Sequence, residues 1–151
     1  MTTVTPFLWY DDDLDQAIEL YSSVFDDVMV HGMNRGPDGA LFGAEIEIAG
    51  QRVMGMNGGP GHPFSDGFSF FVLCADQEEV DRYWDGLTAN GGEAGRCGWL
   101  KDPFGLSWQI VPRAFTELAS SGTPEQVGRL MAAMMTMNKM DVAGLRAAFE
   151  G

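Results

Sequence analysis

Apolar and polar positions repeat along this chain in two units of the same design. Phe7, Leu8, Trp9 and Tyr10 form an apolar strand signal, followed by an Asp-rich stretch and an amphipathic helix. Residues 68–74 form a second apolar strand, followed by Asp76 and a second amphipathic helix. Aligning Asp13 with Asp76 superposes the units. The first helix gathers Ala17, Ile18, Tyr21, Val24 and Phe25 on one face, with Asp15, Gln16, Glu19 and Ser22 opposite. The second gathers Val80, Tyr83, Trp84 and Leu87 and stops near Asn90, Gly91 and Gly92. Both starts have capping-box logic, Asp13 with Gln16 and Asp76 with Glu79.

Strands follow each helix. After the first they are expected near 28–34, 41–48 and 51–56, with turns at Pro37-Asp38-Gly39 and Ala49-Gly50. In the middle strand Ala44, Ile46 and Ile48 alternate with Glu45 and Glu47, which predicts one buried face and one wet or pocket-lining face. After the second helix, strands are expected near 93–97, 99–101 and 106–111. The outcome is β-α-β-β-β, twice: an α+β chain with module one at about 1–57, a linker at about 58–67, module two at about 68–112 and a helical tail at about 113–151. In the tail, Thr123, Pro124 and Gln126 start one helix and Asp141 another. A stripe of Val127, Leu130, Met131, Met134 and Met135 reads as packing surface, in the core or against a second subunit. A ferredoxin-like fold would leave the second half's strands unexplained.

The last hairpin carries most of the functional information. Asp102, Pro103 and Gly105 suit the first, second and fourth positions of a tight turn. Beyond it Leu106, Trp108 and Ile110 alternate with Ser107, Gln109 and Val111. A polar Gln109 on an otherwise buried-looking strand requires a partner, a ligand or solvent.

Composition narrows the function. The 151 residues carry a net charge of −13, with no basic run, which argues against nucleic acid and anionic membrane as partners. No apolar run spans a bilayer and the N-terminus lacks a signal-peptide pattern, so the expected location is cytoplasmic. Cys74 and Cys97 form no zinc motif and are expected to be reduced and structural. His31 falls on a strand and His62 in the Gly/Pro-rich linker. Of the two, His62 is the better functional candidate, because it lies on a loop beside Asn57.

The doubled βαβββ pattern, with Asp102-Pro103-Phe104-Gly105 followed at a short gap by Gln109, resembles the vicinal-oxygen-chelate (glyoxalase/bleomycin-resistance) superfamily. Residues 5–10, 54–60, 97–102 and 106–112 look like its PhnB-like branch, which also carries the description 3-demethylubiquinone-9 3-methyltransferase. The resemblance implies a glyoxalase-like domain whose paired modules form a cup-shaped mixed sheet around a ligand, plus C-terminal helices. It also implies a divalent metal held by a His on each module's first strand and a Glu on its last. The corresponding places fall near Pro6 and Ser69, and near Met56 or Asn57 and at Gln109. Such neutral donors do not offset the dehydration of a divalent cation, so no metal or other cofactor is expected. A Gly-rich loop between a strand and a helix, as a nucleotide fold would need for S-adenosylmethionine, is missing.

The remaining pocket candidates are Trp9, Asn57, His62, Ser69, Trp99, Ser107 and Gln109, aromatic area with a few orienting polar groups. They suit an unknown small organic molecule, aromatic or amphipathic, bound without metal. The alternative is a superfamily enzyme of lyase, isomerase or dioxygenase type with a non-standard metal or acid-base set around His62. A third reading is an interaction module whose pocket is filled by its own side chains. Metal analysis separates the enzyme from the others, and an accessible cavity separates binding from self-filling. A homodimer is expected, because two modules leave sheet edges and the Met-rich tail offers apolar surface.

Overall fold

In β1 (Phe7–Tyr10), Leu8 and Tyr10 are buried while Phe7 is exposed, the period-two pattern of a strand with one face covered. What covers it is α1 (Leu14–Val24), which presents Ala17, Ile18, Tyr21 and Val24. The chain then runs antiparallel through β2 (Val28–Arg35), β3 (Leu41–Ile48) and β4 (Gln51–Asn57). Strand order is β1-β4-β3-β2, with β1 and β4 parallel. Ala44, Ile46, Ile48 and Val53 complete the helix-facing core, and the Tyr10 and Tyr21 hydroxyls hydrogen-bond inside it at 3.0 Å. Glu45 and Glu47 lie on the opposite face, as the alternation predicted.

The computed structural model describes residues 1–151, which divide into two compact units, Met1–Phe64 and Ser65–Gly151. The second unit repeats the wiring with β5 (Ser69–Cys74), α2 (Gln77–Thr88), β6 (Glu93–Ala94), β7 (Trp99–Lys101) and β8 (Ser107–Pro112). Strand order is β5-β8-β7-β6, with β5 and β8 parallel. Val80, Trp84 and Leu87 of α2 and Trp108, Ile110 and Leu100 of the sheet are all buried. At roughly 1.5–3 kcal/mol for each large apolar side chain removed from water, this helix-facing layer is the main stabilising term of the unit. The fold is therefore α+β, two four-stranded mixed sheets each carrying one helix, with C-terminal helices added.

Those helices are α3 (Arg113–Ser121), α4 (Pro124–Met134) and α5 (Val142–Glu150). Thr123 and Gln126 form the predicted capping box of α4, and Asp141 caps α5 through the Ala143 N–H. Leu130, Met140 and Leu145 are buried with Val111, and Met134 and Met137 pack around them. The methionine stripe is thus largely used inside the second unit. It does not supply the free apolar surface that the dimer expectation drew on, although Met135 is exposed. No helix is long and apolar enough to cross a membrane.

Two sequence expectations need correction, and one helix of the expected tail carries no local signal of its start. The strand expected over 93–97 ends at Ala94, because Cys97 and Gly98 take positive φ of 59° and 83° and turn the chain. Asp13 makes no side-chain cap on α1; its backbone is not extended (ψ 23°), and Asn57 takes the role, its Oδ1 accepting the Leu14 N–H at 2.9 Å. Helix α3 carries no capping signal, since its N-cap is Pro112, and so it escapes a reading based on caps.

Candidate functional site

The face of the second sheet turned away from α2 is set by strand register. Phe71, Gln109 and Trp99 lie in one row across β5, β8 and β7; Ser69, Ser107 and Lys101 lie in the next. Gln109 finds its polar partner there, its Nε2 donating to Ser69 Oγ at 3.0 Å. The Ser107 hydroxyl donates to Asp66 Oδ1 at 2.7 Å. Asp66 was not foreseen: it sits in the linker, and nothing local in the sequence ties it to a strand forty residues on.

The turn before β8 fixes this register. Asp102 is only 2% exposed, and its Oδ1 accepts the N–H groups of Phe104 and Leu106 while Oδ2 accepts the Trp108 indole N–H, each at 3.0 Å. Trp108 is therefore core, on the face opposite Gln109. With three donors the buried Asp102 carboxyl is well satisfied, and it ties the turn to the strand it launches.

Beside the row lies an open groove of about 480 Å³, lined by Asp66, Glu93, Arg96, Trp99 and Lys101 among others. It offers one large aromatic side chain and charges of both signs. Gln109, Ser69 and Ser107 do not line it; they adjoin it through Trp99, paired with Gln109, and Asp66, bonded to Ser107.

The other three candidates lie in the first unit. Trp9 donates its indole N–H to the Gly59 carbonyl at 2.9 Å, and His62 packs on its ring with centroids 4.3 Å apart. Gly58 permits this, since a Cβ there would stand 2.4 Å from the Trp9 ring. Asn57 is turned away, its amide used up by the Leu14 N–H and, through Nδ2, the Leu41 carbonyl at 3.0 Å. The seven candidates thus fall into three places: Ser69, Trp99, Ser107 and Gln109 together, Trp9 with His62, and Asn57 at the helix start. His31 lies elsewhere on the first sheet, 2.9 Å from Glu47, which with Glu45 also meets Arg52.

Four groups have shifted acidity: hydrogen bonds from Gln77 and then Lys139 lower the Asp81 carboxyl, the hydrogen bond to Asp81 raises Lys139, and the other two are Cys74 and Asp13. Burial, then the nearby Glu79 and Asp76, pushes the Cys74 thiol up to about 12, which keeps it protonated and inert. Burial, ahead of its neighbours Asp12 and Asp11, raises the Asp13 carboxyl.

The two units align less simply than Asp13 on Asp76. Three residues connect β1 to α1 and two connect β5 to α2, so matched helices leave the strands one residue out of step. Register then matches Phe7 with Phe71 and Met54 with Gln109, rather than Met56 or Asn57 with Gln109, and Thr5 rather than Pro6 with Ser69. Ser69 and Gln109, the two places the resemblance assigns to metal ligands in the second module, do lie within bonding distance. They are a hydroxyl and an amide bonded to one another, both uncharged. No group of three or more His, Cys, Asp or Glu side chains is placed to hold a metal ion. The residues present do not fit a divalent metal.

Residues 2–111 match the model of the family described as 3-demethylubiquinone-9 3-methyltransferase. The chain belongs to that family. A solved relative from Bacillus cereus, a putative 3-demethylubiquinone-9 3-methyltransferase called PhnB protein, is 25% identical, with a TM-score of 0.67; the match covers 74% of this chain and 99% of that one. A fosfomycin resistance protein, FosX, from Listeria monocytogenes, in complex with Mn(II) and 1S,2S-dihydroxypropylphosphonic acid, is 18% identical with a TM-score of 0.53, covering 72% of this chain and 90% of that one. A glyoxalase/bleomycin resistance protein from Albidiferax ferrireducens is 14% identical with a TM-score of 0.50, covering 74% and 99%. The last two likenesses show the glyoxalase-like fold alone. No curated protein matches the chain. This member of the family carries the PhnB-like double module and, beyond residue 111, a helical tail outside the family match.

Proposed function

We propose that this protein binds a small, planar organic molecule in the groove beside Trp99, without a metal. The observation that carries this reading is a groove that Trp99 lines together with Arg96 and Lys101 on one side of the charge balance and Asp66 and Glu93 on the other. An aromatic face supplies area, and charges of both signs orient a ligand that is itself amphoteric or strongly dipolar. Gln109 and Ser69 offer a neutral donor-acceptor pair on the adjoining sheet face, which suits an uncharged polar substituent. The methyltransferase in the family's description finds no support in the fold, which has no strand-loop-helix nucleotide cradle. The two reduced thiols and acidic composition suit a cytoplasmic setting.

Native mass spectrometry of freshly purified protein tests the reading. A retained organic mass, lost in Trp99→Ala without loss of fold, is the expected result; a Trp99→Ala protein that retains the same mass places the ligand elsewhere. We also infer a homodimer. Support comes from the first sheet, where Phe7, Met29, Met33, Phe42 and Met54 are exposed large apolar residues. Light scattering at tens of micromolar should give twice the chain mass, and a monomer mass would refute the pairing.

A further inference from the structure

The tail lies beyond the family match, yet its connector between α4 and α5 reaches the groove loop directly. The Cys97 N–H donates to the Met137 carbonyl at 2.8 Å and the Gly98 N–H to the Asn138 carbonyl at 2.9 Å. These two residues carry the positive φ values that turn the chain between Arg96 and Trp99. A left-handed Cys is disfavoured and persists only where its surroundings hold it. Gly98 is doubly constrained, since a Cβ would stand 2.9 Å from the Ile110 carbonyl oxygen and 3.1 Å from Met140 Cε. The Gly98 carbonyl in turn accepts the Ile110 N–H at 2.8 Å, passing the constraint to β8 next to Gln109.

The connector is itself gripped by α2. Gln77 donates through Nε2 to the Met140 carbonyl at 3.1 Å and accepts the Val142 N–H on Oε1 at 2.7 Å. Lys139 Nζ lies 3.0 Å from Asp81 and 3.6 Å from Asp85. Contacts run unbroken from α2 to the connector, from the connector to Cys97 and Gly98, and from there to Trp99.

We propose that the 137–142 connector is a positioning clamp for the groove, holding the 96–98 loop in the left-handed conformation that presents Trp99 and Arg96 to a ligand. Gln77 is the positioning residue that holds the clamp, and it touches no groove residue itself. The inference rests on the groove reading above, but its test needs no ligand. Amide hydrogen exchange is measured in the full-length protein, wild type, Gln77→Ala, Gln77→Glu and Lys139→Ala. In Gln77→Ala the Cys97 and Gly98 amides should exchange roughly tenfold faster, with the β5 amides unchanged, as expected for a local opening. Trp99 should become more open to acrylamide quenching. Gln77→Glu keeps the acceptor for Val142 but loses both Nε2 bonds and sets a carboxylate against Asp81 and the Met140 carbonyl, so it should lose protection as Gln77→Ala does, and Lys139→Ala should show a smaller local effect. The proposal fails if Cys97 and Gly98 keep wild-type protection in Gln77→Ala, or if exchange rises uniformly across the second unit. Failure of the groove reading shows separately, as Trp99→Ala retaining its ligand.

Discussion

Across the middle of the first sheet runs the row Phe7, Met54 and Glu45; across the middle of the second runs Phe71, Gln109 and Trp99. Wiring and register are the same in both, and the helix-facing sides are apolar in both. The opposite sides differ. Both carry exposed apolar side chains, Phe7 and Met54 on the first and Phe71 and Leu73 on the second, but the first adds ion pairs among His31, Glu45, Glu47 and Arg52. The second carries an uncharged hydrogen-bonded pair beside a groove. Covering one face of a sheet is enough to specify the fold, which leaves the other face to be set by whatever it meets.

The units also differ in how they secure their corners, and substitutions expose this. The largest effect is expected at Asp102. Asp102→Ala orphans three donors, two of them in buried residues, and should cost about 3–5 kcal/mol in urea unfolding. The first unit's corner rests on Asn57, whose amide is bonded through both its oxygen and its nitrogen but is less deeply buried. Asn57→Ala should cost about 1–3 kcal/mol, most of it as loss of the α1 cap. Equal losses at the two sites would break the contrast.

Alkaline pH separates the units by chemistry. Unfolded, the Cys74 thiol loses its proton near the ordinary 9.0; folded, it keeps it to about 12. The unfolded chain therefore binds fewer protons between those values, and stability is full below pH 9 and falls as pH rises towards 12. Cys74→Ala should flatten that part of a pH series of thermal melts, while Cys97, half-buried in its loop, should remain the faster thiol towards an alkylating reagent. The smallest effect belongs to the first sheet's charges. Glu47→Gln should change stability by less than about 1 kcal/mol at moderate salt, because the His31 and Arg52 contacts lie near the surface.

Much of this was legible in the residues. The apolar run Phe7–Tyr10 carried its strand but not its faces, and the alternation of Ala44, Ile46 and Ile48 with the two glutamates carried both. The helical stripes carried α1 and α2. The turn at Asp102 carried the link to β8, and the need of Gln109 for a partner led to its face. What stayed hidden depends on contacts distant in sequence. Asn57 as the cap of α1, Asp66 under Ser107, and Met137 and Asn138 holding the groove loop all join segments about forty residues apart. The one-residue difference between the two strand-helix connections also escaped alignment on the helix starts alone, and it moved the counterpart of Gln109 to Met54.

The central claim is that Ser69 and Gln109, at the places the resemblance gives to metal ligands, form an uncharged hydrogen-bonded pair that holds no divalent metal. Titration of Mn(II) into the purified protein, followed by electron paramagnetic resonance of the free ion, tests it directly. The wild type should show no saturable binding below millimolar metal, and Gln109→Glu should gain weak binding while keeping its fold, since the Ser69 hydroxyl can donate to the new carboxylate. Tight, stoichiometric binding by the wild type that Gln109→Ala abolishes would contradict the account.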